Sequence, residues 1–580
     1  MNEFTAPDVP WTLLSPALIV LLAAVVGVLV EAFVPARVRR TVQVSLALGS
    51  TAAALVAVAA LWQGVSADGG TAVLGGSLVV DGPTLVLQGT IALLALLSIL
   101  VVADRTDTGE DAFAPSAAAV PGSDYEEVAR RRGLQQTEVY PLLLFAVGGM
   151  LVFPAAGDLL TLFVALEVLS LPLYLLTGMA RRRRLLSQEA AMKYFLLGAF
   201  ASALMLFGIG LVYGYSGSLR YSEIAEQTLQ VSGADTVLLV GSVLVLSGLL
   251  FKVGAVPFHT WTPDVYQGAP TPITGFMAAC TKVAAFGALL RLVYVVLPEL
   301  EWDLSVVLWA VAIATMVVGT VAALVQTDIK RVLAYSSIAH AGFILTGVVA
   351  LDSSAIPAVL FYLLVYGAGT VGAFGIVWLV RERAAGTDDE PGPVLGEATR
   401  LSQWAGLGRS HPVLAVTFAL FLLSFAGIPL TAGFIGKFAV FSAAVEGGAW
   451  PLAVVGVLSS AAAAFFYVRI IVLMFFGGAP GDGTHDGAEH VGAATAAGPD
   501  EAAEVGLADS SAAPAGVPAP ATGAATATLV EARTATTTTV VGSEGFALVA
   551  IAVCAVVTVL LGVLPSPVLD LVTEVSQLLP

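Results

Sequence analysis

Five ionisable residues lie inside stretches of the sequence that are otherwise apolar. They are one glutamate and four lysines: Glu167, Lys193, Lys252, Lys282 and Lys437. A charge at the centre of a bilayer costs about 2.5–3.5 kcal/mol on insertion scales, so an idle set of this kind would be a heavy burden. A buried lysine can lose its proton, whereas arginine stays charged in proteins. These residue types favour a relay that carries protons across a membrane.

A carboxylate near such a lysine would tune its charge state. Glu167 beside Lys193 or Lys252 would form a pair whose opening releases a proton onward. Lys193 follows the basic cluster at 181–184 closely, so its ammonium could instead extend to the membrane surface. Lys252 and Lys437 are open to the same alternative, but each stands next to an interrupted helix. Glu167 and Lys282 are predicted to lie deepest.

Two histidines are secondary candidates for the relay. His340 lies in an apolar helix and is of the one type that titrates near neutral pH without perturbation, although a packed structural histidine is the plain alternative. His259 follows the interruption after Lys252 and either serves a half-channel or lines a loop. Arg469, in a later apolar stretch, has no partner that the sequence identifies.

The composition requires a membrane around these residues. Of 580 residues, 58% are hydrophobic and only 12% are charged, against about 25% in soluble domains. The formal charge of −17 is concentrated in three polar segments, so no basic surface for nucleic acid is expected. The two cysteines, Cys280 and Cys554, lie in apolar stretches and support neither a disulfide framework nor a metal site. His485 and His490 lie in an acidic linker and are not expected to bind a metal ion.

The apolar runs predict an all-α polytopic membrane protein with about 14 transmembrane helices. The predicted spans are 11–34, 41–63, 83–103, 138–154, 158–179, 190–213, 235–256, 271–297, 303–325, 330–350, 354–380, 412–441, 450–476 and 545–565. The acidic N-terminus is unlike a cleavable signal peptide. Arginines and lysines collect in alternate loops, which predicts that those loops are cytoplasmic and that both termini lie outside.

Proline and glycine interrupt two of these spans. Span 7 runs into Gly254 and Pro257, and span 12 contains Gly427 and Pro429. Interruptions five spans apart predict two inverted five-helix repeats with broken helices 7 and 12. The predicted organisation is three N-terminal helices, a polar cytoplasmic loop, repeat one, repeat two, a disordered linker and a final helix: 1–103, 104–137, 138–297, 303–477, 478–544 and 545–580.

Three motifs carry a family resemblance that covers nearly the whole chain. They are FKVGAVPFHTWTPDVYQGAP at 251–270, IKRVLAYSSIAHAG at 329–342 and LEVLSLPLY at 166–174. The chain resembles the antiporter-like subunits of respiratory complex I, the proton-translocating NADH–quinone oxidoreductase. Lys437 in GFIGKF makes it similar to the N-type branch, because an acidic residue usually stands there in M-type subunits.

The resemblance implies roles for the buried charges. Glu167 and Lys252 would be the input-side pair, Lys282 the central relay and Lys437 the output residue, with Lys193 a less specific match. It also implies a translocase subunit of the bacterial cytoplasmic membrane that does no redox chemistry itself. Its partners would be M-, L-, K- and J-type membrane subunits, and NADH, FMN, iron–sulfur clusters and quinone would be bound elsewhere in the complex. A stand-alone cation/proton antiporter, a hydrogenase-complex subunit and a structural scaffold stay open as alternatives.

Overall fold

The protein is mostly helical. The computed structural model describes residues 9–106, 109–114, 124–125, 128, 136–229, 235–297, 301–384, 394–478 and 536–579. The principal helices are α1 Trp11–Phe33, α2 Ala36–Asp68, α3 Gly82–Ala103, α4 Val139–Val152, α5 Leu159–Thr177, α6 Arg184–Ser216, α7 Tyr221–Thr228, α8 Asp235–Val253, α9 Trp261–Gly268, α10 Thr271–Val296, α11 Glu301–Leu324, α12 Ile329–Val349, α13 Ala355–Leu379, α14 Pro412–Ala426, α15 Ala432–Glu446, α16 Trp450–Phe476, α17 Phe546–Val563 and α18 Ser566–Glu574.

The prediction of a polytopic helical membrane protein is confirmed. Within the described residues, 12 helices are long and apolar enough to cross a bilayer, and two further apolar helices, Val139–Ala155 and Pro412–Ala426, are shorter. Their backbone polar groups are satisfied inside each helix, which a lipid environment demands.

The all-α description is incomplete, because the described residues also contain five short strands outside the apolar helices. They are β1 Thr71–Val73, β2 Leu78–Val80, β3 Val380–Ala384, β4 Val394–Glu397 and β5 Thr536–Val540. The first two form an antiparallel hairpin, and the others form a sheet in the order β4-β3-β5. Strand β5 belongs to the end of the segment predicted as a disordered linker, where a run of β-branched threonines pairs with β3. The rest of that segment, with His485 and His490, lies outside the described residues.

Three central helices are surrounded by the others. In α10, α12 and α13, 94% of the residues in the most apolar window are buried, against 33% in α2, α6 and α16. Helices buried on all sides can hold polar side chains away from lipid, whereas the outer helices must present apolar residues to it. α10 also contains two π-helical stretches, Met277–Thr281 and Leu292–Val296, a local geometry found often at functional sites.

The helices α8 and α14 each stop at a glycine in the left-handed region. α8 ends at Val253, Gly254 has φ +75°, and α9 begins seven residues later at Trp261. α14 ends at Ala426, and Gly427 with φ +83° leads to α15. Positive φ is readily available only to glycine, so these residues fix where each helix stops.

The arginine-rich loops meet at one end of the molecule. Arg40, which follows α1, pairs with Glu544 at 2.9 Å just before α17. Arg181 and Arg182, after α5, pair with Glu110 of the polar loop after α3. These contacts place four connections on the same side, as the charge pattern of the sequence predicts.

Candidate functional site

Lys252 lies in the last turn of α8, in a pocket lined by hydroxyl groups and aromatic rings. Its ammonium donates to the Ser170 hydroxyl at 2.8 Å and to the Tyr194 hydroxyl at 3.1 Å. The rings of Tyr194 and Tyr174 lie 5.3 and 6.0 Å from the ammonium. The residue is 2% exposed, so the snorkelling alternative is wrong for Lys252. Aromatic faces and hydroxyls stabilise a cation without fixing it in that state.

The direct ion pair expected between Glu167 and a lysine is not formed. The Glu167 carboxylate accepts a 2.5 Å hydrogen bond from the Ser202 hydroxyl on α6. Glu167 still lies within electrostatic range of Lys252. Ser170 follows Glu167 by three residues and therefore lies on the same face of α5. The hydroxyl of Ser170 contacts the Lys252 ammonium. The carboxylate and the ammonium each bond to a different serine hydroxyl and do not contact each other.

Lys282 lies at the centre of the helix bundle. It follows the first π-helical stretch of α10, and its ammonium donates to the Ser337 carbonyl oxygen on α12 at 2.5 Å. The Tyr366 ring of α13 lies 5.9 Å away. Lys282 is 2% exposed, as is Lys252, whereas Glu167 is only partly buried, so the prediction that Glu167 lies among the deepest residues is wrong.

His340 of α12 stands between Lys282 and Lys437 and interacts electrostatically with both. Its Nδ1 contacts the Tyr362 hydroxyl at 2.8 Å, and its Nε2 contacts the Tyr467 hydroxyl at 3.3 Å. Both ring nitrogens therefore have hydroxyl partners, which can donate or accept according to the tautomer. The histidine is packed and hydrogen-bonded, and it also occupies the gap between two buried lysines.

Lys437 of α15 reaches back across the interruption that precedes its helix. Its ammonium donates to the carbonyl oxygens of Phe425 and Ala426 at 2.7 and 3.2 Å, and to the Ser460 hydroxyl at 2.7 Å. The last carbonyls of a helix lack partners within it and carry its negative dipole end, so they attract a cation. Lys437 is 5% exposed and does not extend to the surface.

The remaining two candidates lie apart from this chain of residues. Lys193 is 43% exposed and pairs with Glu189 at 2.7 Å and with Asp264 at 2.8 Å, which matches the surface alternative for this residue. His259 is half-buried in the segment between α8 and α9, and its Nδ1 has no hydrogen-bond partner there. The structure does not join either residue to Lys252.

One buried ion pair was not predicted, although Arg291 is an ionisable residue inside an apolar stretch like the lysines above. Arg291 stands nine residues after Lys282 in the same apolar helix, and its guanidinium binds both carboxylate oxygens of Asp81 at 2.8 Å. It also donates to the carbonyl oxygens of Pro154 and Leu579. The pair therefore ties α3 and α10 to the C-terminal tail.

A second missed cluster lies beneath the sheet. Glu397 accepts from the Thr271 hydroxyl at 2.6 Å and approaches the ammonium of Lys330 at 3.5 Å and the guanidinium of Arg381 at 3.9 Å. Burial raises the pKa of the Glu397 carboxyl, but the two nearby cations outweigh burial and hold the pKa below its ordinary value. Burial lowers the pKa of Arg381 to about 10. Lys330 is 1% exposed, so this cluster is buried.

Comparison with known proteins fits this arrangement. The family model described as NADH:quinone oxidoreductase/Mrp antiporter, TM, matches residues 156–462, which contain the whole chain of buried charges. NADH-quinone oxidoreductase subunit N of Beutenbergia cavernae is 60% identical, with 99% of each chain covered. Subunit N of Mycobacterium tuberculosis H37Rv is 51% identical over the same shares. The chain belongs to this family, in its N-subunit branch.

Solved structures of family members share the fold. A chain of respiratory complex I from Thermus thermophilus with bound aureothin is 30% identical, with a TM-score of 0.68 and 96% of this chain and 98% of that chain covered. A chain of the Mrp complex from Dietzia sp. DQ12-45-1b has a TM-score of 0.69 at 22% identity, with 97% of each chain covered. The second likeness shows the fold alone. The fold is therefore common to complex I and Mrp assemblies, and the closer sequence identity is to N subunits.

Proposed function

We propose that this chain conducts protons as the N-type membrane subunit of a proton-translocating NADH–quinone oxidoreductase. The route runs from Glu167 through Lys252, Lys282 and His340 to Lys437. Electron transfer from NADH to quinone takes place in other subunits and supplies the free energy. Two observations support this proposal, the family membership of the chain and the geometry of its buried lysines.

One observation carries the proposal. Lys252, Lys282 and Lys437 are each buried, and no described carboxylate lies within 4.0 Å of any of them. All three ammonium groups are held by neutral hydroxyl and carbonyl oxygens. A buried lysine with only neutral partners gives up its proton more readily than one paired with a carboxylate, because burial disfavours the charge and no anion offsets this. A purely structural lysine would be expected to carry a carboxylate partner.

The geometry suggests how a proton advances. His340 lies between Lys282 and Lys437, interacts electrostatically with both, and has a hydroxyl at each ring nitrogen. Imidazole can accept a proton at one nitrogen and release one from the other, so it suits the middle position. The two helix interruptions place Lys252 and Lys437 where backbone groups can reorganise.

The same proposal extends to topology and assembly. We infer 14 spans, made of the 12 long helices, α4 and the unit formed by α14 and α15, with inverted repeats at 138–297 and 303–477. The arginine-rich end faces the cytoplasm and both termini lie outside. M-, L-, K- and J-type subunits of the bacterial plasma membrane are the partners, and the redox cofactors are bound outside this chain.

Purification of the full chain from its own membrane tests this assignment. Mild detergent extraction followed by mass spectrometry should recover the other membrane and NADH-oxidising subunits in fixed ratio. Recovery of the chain alone, or with the subunits of an Mrp assembly, would contradict the proposal. NADH-driven acidification of vesicles that contain the purified complex then tests whether the assembly moves protons.

A further inference from the structure

Arg469 presents a charge on a face of the molecule that is otherwise apolar. It lies on the exposed side of α16, where its neighbours Phe465, Val468, Val472 and Phe476 are all exposed to the surroundings. Seven residues separate Arg469 from the end of α16, so its Cα lies about 10 Å below that end. A charge at this depth beside lipid is costly unless an opposite charge compensates it.

The described part of the protein offers Arg469 no such compensation. Its guanidinium donates to the carbonyl oxygen of Leu324, at the end of α11, at 3.2 Å. No carboxylate among the described residues lies within 4.0 Å of it. Asp328, just before α12, lines the same cavity as Arg469. Its carboxylate already accepts hydrogen bonds from the backbone amides of Lys330 and Arg331. One carbonyl dipole does not neutralise the positive charge of Arg469.

A cavity of about 1200 Å³ opens beside Arg469 and extends to the arginine-rich end of the molecule. Arg183 and Arg400 line one part of the cavity, and Leu473 and Phe476, which lie nearer the end of α16 than Arg469 does, line another. Arg183 donates to the Thr399 hydroxyl at 2.9 Å. The lining thus holds three arginines and one acid, together with apolar residues of α16.

We propose that this cavity binds the headgroup of an anionic phospholipid from the leaflet on the side of the arginine-rich loops. The phosphate compensates Arg469 and the two arginines above it, since guanidinium groups match phosphate oxygens in bidentate geometry. The acyl chains lie along the exposed apolar face of α16. The depth of Arg469 and the apolar face of α16, which continues one turn deeper at Phe465, favour a lipid over free phosphate, which would gain nothing from that face.

Lipid retention by the purified full chain, with its copurifying subunits, tests the site. The sample is washed free of lipid, incubated with isotope-labelled phosphatidylglycerol in detergent, and analysed by mass spectrometry for bound lipid per chain. Arg469→Gln should lower retention about fivefold and Arg183→Gln with Arg400→Gln about 25-fold, since each basic residue near a membrane surface contributes about that factor. Arg469→Lys should keep most of the lipid.

Arg37→Gln is the matched control, because Arg37 is exposed near the same end of the molecule and does not line the cavity. Its retention should equal that of the unaltered protein. Equal retention in the cavity variants would overturn the proposal. Displacement of the lipid by millimolar inorganic phosphate would assign the site to a free anion instead. A cross-link from position 469 to an acidic residue of a neighbouring subunit would show that protein, not lipid, compensates Arg469.

Discussion

The ammonium of Lys437 donates a 2.7 Å hydrogen bond to the carbonyl oxygen of Phe425, one residue before α14 ends. The lysine thereby occupies the place that a further turn of helix would fill. Its charge is stabilised by the negative end of a helix that stops inside the molecule. Any change in the protonation of Lys437 therefore changes the interaction that holds the two half-helices together.

Replacing Lys437 with arginine separates charge from proton transfer. Arginine can still bind the helix-end carbonyls, but it does not release a proton at accessible pH. We expect NADH-driven proton translocation in vesicles to fall at least about tenfold, within the range seen when a proton-transfer group is removed. Ser460→Ala, which removes only one neutral partner of Lys437, should retain most of the activity. Full pumping with arginine would show that Lys437 is only a structural anchor.

Substitution of His340 distinguishes titration from hydrogen bonding. His340→Gln keeps a polar side chain near the hydroxyls of Tyr362 and Tyr467 but cannot pass a proton from one side to the other. We expect both His340→Gln and His340→Phe to slow translocation by a similar factor, with the complex still assembled. A glutamine variant that pumps normally beside a defective phenylalanine variant would assign His340 a packing role.

The cluster around Glu397 predicts a pH-dependent stability difference. Because the pKa of Glu397 is lowered from its ordinary value of 4.5, its ionised form stabilises the fold above that value, and this contribution is lost as pH falls through the lowered pKa. Glu397→Gln should therefore destabilise the protein at pH about 7 by roughly 2 kcal/mol, an amount typical of a hydrogen-bonded charge. The difference in melting temperature should shrink as pH falls below about 4. A difference that stays constant with pH would contradict this account.

The buried pair of Asp81 and Arg291 predicts a large stability effect at the other end of the molecule. Asp81→Asn leaves Arg291 buried without its counter-charge, and breaking such a pair costs about 3–5 kcal/mol. Thermal unfolding in detergent should show a marked loss, and the C-terminal tail held by Leu579 should become sensitive to protease. Arg220→Gln, which removes an exposed pair with Glu223, should change little. Equal effects of the two substitutions would exclude an anchoring role for Asp81.

Much of the helical framework follows from the sequence, because a helix in lipid must be apolar along its length and its ends are marked by charge. The helix predicted at 545–565 is Phe546–Val563 in the structure, and the one at 303–325 is Glu301–Leu324. The interruptions at Gly254 and Gly427 could be located from glycine and proline alone.

The partners of the buried charges could not be predicted in the same way. Hydropathy identifies Lys252 as buried but does not say that Ser170, 82 residues away, will contact it. The expected pair between Glu167 and Lys252 fails because the carboxylate bonds to Ser202 on a neighbouring helix. The strand at Thr536–Val540 was missed because its pairing partner lies more than 150 residues earlier, in a loop whose composition resembles the linker. Such contacts depend on which helices become neighbours, and local patterns do not carry that information.

The proposed proton route depends most on Lys282, because every proton that follows it must pass this residue. Lys282→Ala removes the ammonium that lies between the two halves of the route and leaves its backbone partner, the Ser337 carbonyl, intact. The direct measurement is the rate of NADH-driven vesicle acidification per assembled complex, compared with the unaltered protein at equal subunit composition. We expect this acidification rate to fall at least about tenfold. Acidification at the unaltered rate, in a complex shown to contain the variant chain, would contradict it.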